Sequence, residues 1–186
     1  AMQLVKPSTA QLDSYVAALR RDWSPDNIRG AVAAQEQLAR IKHDAAAFLA
    51  SLDDREAKGA PIKLPDGSLA QRIPGLVRWM WDEEFCGSIG FRWQPGTAAL
   101  PPHVLGHIGY TVVPWQRGRG FATSAVRALL PEARALGLPY VEITTDPDNL
   151  ASQRVIEKAG GVLFEHYTRP AALGGAPGLR YRITTA

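Results

Sequence analysis

The chain has 186 residues and a mass of 20.2 kDa, 46% hydrophobic and 21% charged, with five each of Trp, Tyr and Phe; this excludes disorder for its bulk and sets the scale at about one domain. A net charge of +3 is far from the basic stripe of a dedicated nucleic-acid binder, although it leaves room for a local anion pocket. A single cysteine, Cys86, rules out an internal disulfide, and no apolar run of about 18 residues and no leader-like start occurs, so the expectation is a soluble cytoplasmic protein with neither membrane nor nucleic acid as partner.

Ala1-Met2 reads as a cloning scar ahead of the natural start. Gln3 to Lys6 is a short strand, and Ser8/Thr9 cap a helix whose apolar positions Leu12, Tyr15, Val16 and Leu19 recur at helical spacing. After Ser24-Pro25-Asp26 an Ala-rich stretch runs to Lys58, with Val32, Leu38 and Ile41 followed by Phe48, Leu49 and Leu52, which predicts one or two helices broken near His43-Asp44. Residues 59–75 are a proline-rich connection with a short strand at Ile62 to Leu64. Leu76 to Trp81 and Phe85 to Trp93, joined by Asp82-Glu83-Glu84, have the spacing of an antiparallel hairpin.

A third apolar strand is predicted from Val104 to Val113, ending at Pro114. The period then turns helical: Ala122, Val126, Leu129, Leu130, Ala133 and Leu136 share one face, closed by Gly137 and Pro139, with a kink expected at Pro131. Tyr140 to Thr144 is a strand, and Leu150 to Ala159 is a helix capped by Asn149 and ended by Gly160-Gly161. Val162 to Tyr167 is a further strand, and Leu179, Tyr181 and Ile183 alternate with Arg180, Arg182 and Thr184 on the last one. This order predicts an α/β (α+β) fold, a mixed sheet with helices on both faces.

Chemistry concentrates in Val112-Val113-Pro114-Trp115-Gln116-Arg117-Gly118-Arg119-Gly120-Phe121-Ala122-Thr123, where a strand ends, glycines alternate with arginines and a helix begins. Gly118 and Gly120 let the main chain turn tightly, so that successive N–H groups converge on phosphate oxygens at the positive end of the helix, with Arg117 and Arg119 adding charge. A Walker loop is rejected because no lysine follows the glycines, and a dinucleotide fingerprint is weak because Thr123 stands where a third glycine is needed. There remain Arg-x-x-Gly-x-Ala at Arg117 to Ala122 and the plain alternative, a Gly-rich turn.

That pattern closely resembles the pyrophosphate loop of the GNAT superfamily of N-acetyltransferases. The surrounding pieces follow in the family's order: Gly109-Tyr110-Thr111-Val112-Val113-Pro114, the helix, the strand from Tyr140, and Asp148-Asn149-Leu150 onward to Lys158-Ala159-Gly160. The resemblance spans about residues 72–185 and is nearest to the branch containing the Rim ribosomal-protein acetyltransferases. It implies a mostly antiparallel sheet of about six to seven strands with splayed central strands. It also implies a single domain over 3–186, in which 3–71 shapes the acceptor side and 72–185 binds acetyl-CoA, with no metal. The implied activity is direct transfer of an acetyl group to a primary amine of a small molecule or a peptide. Relatives often dimerise through the last two strands, so a homodimer is among the implied assemblies.

Carried over residue by residue, the backbone of Tyr110, Thr111 and Val112 would pair with the pantetheine amides, and the stretch from Arg117 through Gly118, Arg119, Gly120, Phe121, Ala122 and Thr123 would hold the pyrophosphate. Asn149 reads both as a helix cap and as a pantetheine contact. Arg154 and Lys158 read either as nucleotide-phosphate contacts or as a solvated helix face. For the amine's proton, His107 is the first candidate base and Glu84 and Glu142 are alternatives; a satisfied histidine is the competing reading of His107. Where many relatives carry a tyrosine acid in the Asn-initiated helix, this chain has Ile156, and Ser152 is the substitute the Rim branch suggests; a polar residue supporting the cap is its plain alternative. Cys86 is read as core rather than as a nucleophile, and the tryptophans Trp79, Trp81 and Trp93 either as core, the favoured reading, or as walls of an acceptor pocket. Two rival classes remain: a non-catalytic coenzyme A-binding module, favoured by Ile156, and a nucleotide or nicotinamide binder using Gly118 and Gly120.

Overall fold

Alternation of apolar residues through 75–92 builds the hairpin on which the rest of the chain is laid. The computed structural model describes residues 1–186. Its strands are β1 (Gln3–Val5), β2 (Asp53–Asp54), β3 (Ile62–Lys63), β4 (Leu69–Ala70), β5 (Gly75–Asp82), β6 (Glu84–Arg92), β7 (Ile108–Val112), β8 (Tyr140–Thr145), β9 (Val162–Thr168) and β10 (Pro177–Thr184). Its helices are α1 (Thr9–Arg20), α2 (Ala31–His43), α3 (Ala45–Ser51), α4 (Phe121–Ala135) and α5 (Leu150–Lys158). No helix is long and apolar enough to cross a membrane.

Every strand pair is antiparallel. One sheet runs β1-β5-β6-β7 with β2 also on β5, a second runs β8-β10-β9, and β3 and β4 form a separate small hairpin. The period of two splits the first sheet's side chains between two cores. Leu76, Met80, Ile89 and Phe91 join a cluster with α4 and the second sheet, whereas Val77, Trp79 and Phe85 join one with α1 to α3, in which Tyr15 stacks on Trp79 at 4.2 Å. Trp79, Trp93 and Cys86 are therefore core, as read, and Trp81 packs partly buried against the helical side.

The helix signals hold locally. Ser8 and Gln11 close a capping box on α1, and Asp44, at the predicted break, caps α3 by accepting from the Ala47 amide at 3.0 Å. Pro131 sits on the exposed side of α4 and does not end it. One strand is shorter than expected. Val104 to His107 stay outside β7 because the His107 N–H leaves the first sheet and donates to the Glu142 carbonyl of β8, at 2.8 Å. Past that point no ladder joins β7 to β8, and the two sheets diverge from an apex at His107 and Glu142.

Candidate active site

The loop between β7 and α4 is shaped by its glycines. Gly118 and Gly120 take φ of +79° and +77°, a left-handed conformation that costs other residues roughly 1–2 kcal/mol, and Gly120 is the N-cap of α4. In consequence every backbone N–H from Gly118 through Thr123 lacks a protein acceptor; the first intrahelical-type bond is Ser124 N–H to the Gly120 carbonyl. A Cβ on either glycine would meet nothing within 4 Å, so no other part of the chain packs against these two positions. Unpartnered amides converging at the positive end of a helix have the geometry of an anion cradle.

The two arginines differ. Arg117 is exposed and its Nε donates to the Val112 carbonyl at 3.3 Å, leaving its charge at the mouth of the cradle. Arg119 is tied down: it donates to Asp82 Oδ2 at 2.8 Å and to Gln116 Oε1 at 2.6 Å, while Gln116 Nε2 donates to Glu84 Oε1 at 2.5 Å. Asp82 and Gln116, which the sequence reading missed, thus staple the loop to the β5–β6 turn. Glu84 belongs to this staple at the cradle end of β7, away from the apex.

Backbone parity defines the gap between the sheets. His107 O accepts from Arg92 N (2.8 Å) and Val113 N donates to Cys86 O (2.9 Å), so odd residues of β7 face β6 and the N–H and C=O groups of Tyr110 and Val112 face the open edge. Likewise Thr185 N donates to Pro139 O, which turns the polar groups of Thr144 on β8 toward the same gap. Asn27, in the α1–α2 loop, donates from Nδ2 to the Tyr110 carbonyl at 3.2 Å, and Trp23 Nε1 donates to Thr111 Oγ1 at 3.3 Å. On the far side Asn149 Oδ1 accepts from the Ser152 N–H at 3.1 Å, and the Tyr110 hydroxyl lies 2.9 Å from Ser152 Oγ, joining β7 to α5 across the gap. Burial pushes the Tyr110 phenol above its ordinary value, with the Ser152 bond opposing. The sequence pattern points only to the main chain of Tyr110, whereas its side chain enters the gap as well. Arg154 and Lys158 lie exposed on α5, and Ile156 is fully buried.

At the apex His107 is fully buried and both its ring nitrogens are engaged. Nδ1 accepts from the Glu142 N–H at 2.8 Å, which places the ring proton on Nε2, where it donates to the Ala98 carbonyl at 3.1 Å. Burial holds this imidazole below its usual range, the Glu142 charge opposing. A neutral ring with neither nitrogen free suits a strap between the sheets; it offers no lone pair to a substrate proton. Glu142, for its part, is paired with Arg182 at 3.0 Å and approached by Arg180 at 4.0 Å. No group of three or more His, Cys, Asp or Glu side chains is placed to hold a metal ion.

Residues 21–162 match the family model described as acetyltransferase (GNAT) domain. No curated protein matches the sequence. Among solved structures, the chain is similar to RimL, the ribosomal L7/L12 alpha-N-protein acetyltransferase, in complex with coenzyme A (14% identity, TM-score 0.61, 98% of this chain and 93% of that one). It is also similar to the microcin C7 self-immunity acetyltransferase MccE in complex with acetyl-CoA and AMP (16%, 0.59, 98% and 92%). A third is aminoglycoside acetyltransferase AAC(6')-Ib with coenzyme A and kanamycin (17%, 0.55, 99% and 95%). At these identities the likeness is one of fold.

Proposed function

Because the chain belongs to the GNAT acetyltransferase family, which uses acetyl-CoA as acyl donor, we propose that it moves the acetyl group directly to a primary amine of a small molecule or a peptide, within one domain spanning 3–186. The observation that carries this reading is the continuity of a strand edge that pairs with no other strand, its Tyr110 and Val112 carbonyls met only by the Asn27 and Arg117 side chains, into a run of amides without acceptors from Gly118 to Thr123. An extended arm bearing amides and ending in a diphosphate matches both halves. Acetyl-CoA supplies an activated thioester; the protein's part is to hold, orient and shield it.

In this reading the amides of Gly118 to Thr123 and the charge of Arg117 hold the pyrophosphate, while Arg119 keeps the loop in shape from behind. Tyr110 and Val112 align the pantetheine arm, and Asn149 combines its cap with a contact to the same arm. Arg154 and Lys158 meet the nucleotide end. Since His107 is strapped, Glu142 is ion-paired and Glu84 is held by Gln116, the amine gives its proton to water, an arrangement that suits α-amines of pKa ~7.7–8.0 better than lysines near ~10.4.

The Tyr110–Ser152 pair is the proton donor to the departing thiolate, standing in for the acid missing at Ile156. If the two hydroxyls act as one relay, Tyr110→Phe and Ser152→Ala each lower kcat by up to about 100-fold and the double variant is no worse than either single one. Additive losses in steady-state kinetics would reject the relay.

The function itself is tested by screening amines with the purified chain and acetyl-CoA. Gain of one acetyl group by mass and matching release of free thiol are expected. Retained coenzyme A affinity with no transfer to α-amines, lysyl peptides, polyamines or aminoglycosides would leave a binding module instead.

A further inference from the structure

The face of the first sheet turned toward α1 to α3 bears an arginine that the mechanism above does not use. Arg92 ends β6, and the alternation that sends Ile89 and Phe91 into the α4 core turns Arg92 and Gly90 to the opposite face. Arg92 Nε donates to the Gly106 carbonyl at 2.6 Å, which fixes the plane of the guanidinium, while neither Nη has a hydrogen-bond partner and neither is sealed from solvent. Burial pulls this group down to about 10, with Asp26 of the α1–α2 loop opposing, so it remains charged at neutral pH. Asp26 makes no ion pair with it and uses its Oδ1 on the amides of Ile28 and Arg29, each at 2.8 Å. A half-buried cation whose plane is fixed and whose two Nη groups have no protein acceptor is set to receive something negative.

There is room for that arrival. Gly109 of β7 lies directly opposite Gly90, and a Cβ on Gly109 would stand 3.2 Å from Arg92 Nη1, so the guanidinium covers bare main chain. A Cβ on Gly90 would meet only the carbonyl oxygens of Gly109 and Leu76, both at 3.9 Å. Gly90 floors a hollow, and the guanidinium lying across Gly109 walls it with its free Nη groups, next to the apex where the gap closes. Roughly 10 Å of strand separates it from the cradle, too far for the anion to be the pyrophosphate.

Resting on the acetyl-transfer reading, we propose that Arg92 determines acceptor specificity: both Nη groups grip an oxyanion of the amine substrate, a carboxylate or a phosphate, seated over Gly90. Planar, bidentate recognition of this kind is what a guanidinium does best.

The test compares matched amines with and without the anion: γ-aminobutyrate against butylamine, and phosphoethanolamine against ethanolamine. In the native chain kcat/KM is expected to favour the anionic member by about 10- to 100-fold, the carboxylate pair and the phosphate pair telling which oxyanion fits. Arg92→Met removes the preference, and Gly90→Val, which fills the hollow without changing charge, removes it too. An equal rate for charged and neutral members overturns the proposal. So does an Arg92→Met loss that is the same for every amine, since the guanidinium would then act on the acetyl group. If no amine is acetylated at all, the acetyl-transfer reading fails, and ligand-observed NMR of γ-aminobutyrate and phosphoethanolamine in the presence of coenzyme A decides the inference separately. Binding lost in both variants supports it, and no binding to the native chain overturns it.

Discussion

Gly120→Val is expected to raise the Kd for acetyl-CoA by about 100-fold or more while leaving the chain folded. The φ of +77° at this N-cap is open to glycine at no cost and closed to a β-branched residue, so the main chain must rotate to relieve it. Since a Cβ there meets nothing within 4 Å, the damage stays in the loop and never reaches the core. Rotation turns the Gly120 and Phe121 amides away from their common focus, and two lost hydrogen bonds to a charged oxygen, at about 1.5–3 kcal/mol each, give an effect of this size. Calorimetric titration with coenzyme A, beside a melting curve without it, separates affinity from stability. Undiminished affinity would move the anion site away from α4 altogether.

His107→Leu is expected to cost about 3–5 kcal/mol of stability, because it leaves the Glu142 N–H and the Ala98 carbonyl without partners at a buried junction. A pH signature accompanies it. Burial lowers the pKa of the folded-state imidazole, whereas in the unfolded chain it titrates near ~6.5. Between those two values the unfolded state binds the extra proton, so the strap's stabilising effect is complete above about pH 6.5 and declines as pH falls toward the folded value, by at most about 1.4 kcal/mol per unit. Urea unfolding at about pH 7.5 and about pH 5.5 reads both effects: the native chain weakens on acidification, and the variant starts lower with a shallower slope. Equal slopes would assign the acid sensitivity to other groups.

Local chemistry made much of this legible in the sequence. The Ser8 cap, the break at Asp44, the hairpin turn at Glu83 and the change from a period of two to a helical period across Gly118–Gly120 are each decided by residues within a few positions of one another. What stayed hidden is long-range. The loss of Val104 to His107 from β7 depends on Glu142, thirty-five residues on from the histidine. The tying of Arg119 by Asp82 is likewise a contact between distant segments. A histidine in an apolar run looks the same whether it is a base or a strap, and only the partners of its two nitrogens distinguish them. No motif surrounds Arg92; its meaning lies in Gly109 of the neighbouring strand, over which its guanidinium lies, and in Gly90, which leaves space beside it.

Asn27 already sits where the acyl carrier's arm would bind, its amide on the Tyr110 oxygen. Docking is then a swap of one amide for another on the same acceptor, nearly neutral in hydrogen-bond energy. What the swap changes is the tether of the segment holding Asp26, which is let go when the carrier arrives and recaptured when it departs. On the proposed reading, adding coenzyme A is therefore expected to speed hydrogen exchange at the Ile28 and Arg29 amides, which Asp26 holds in the same segment.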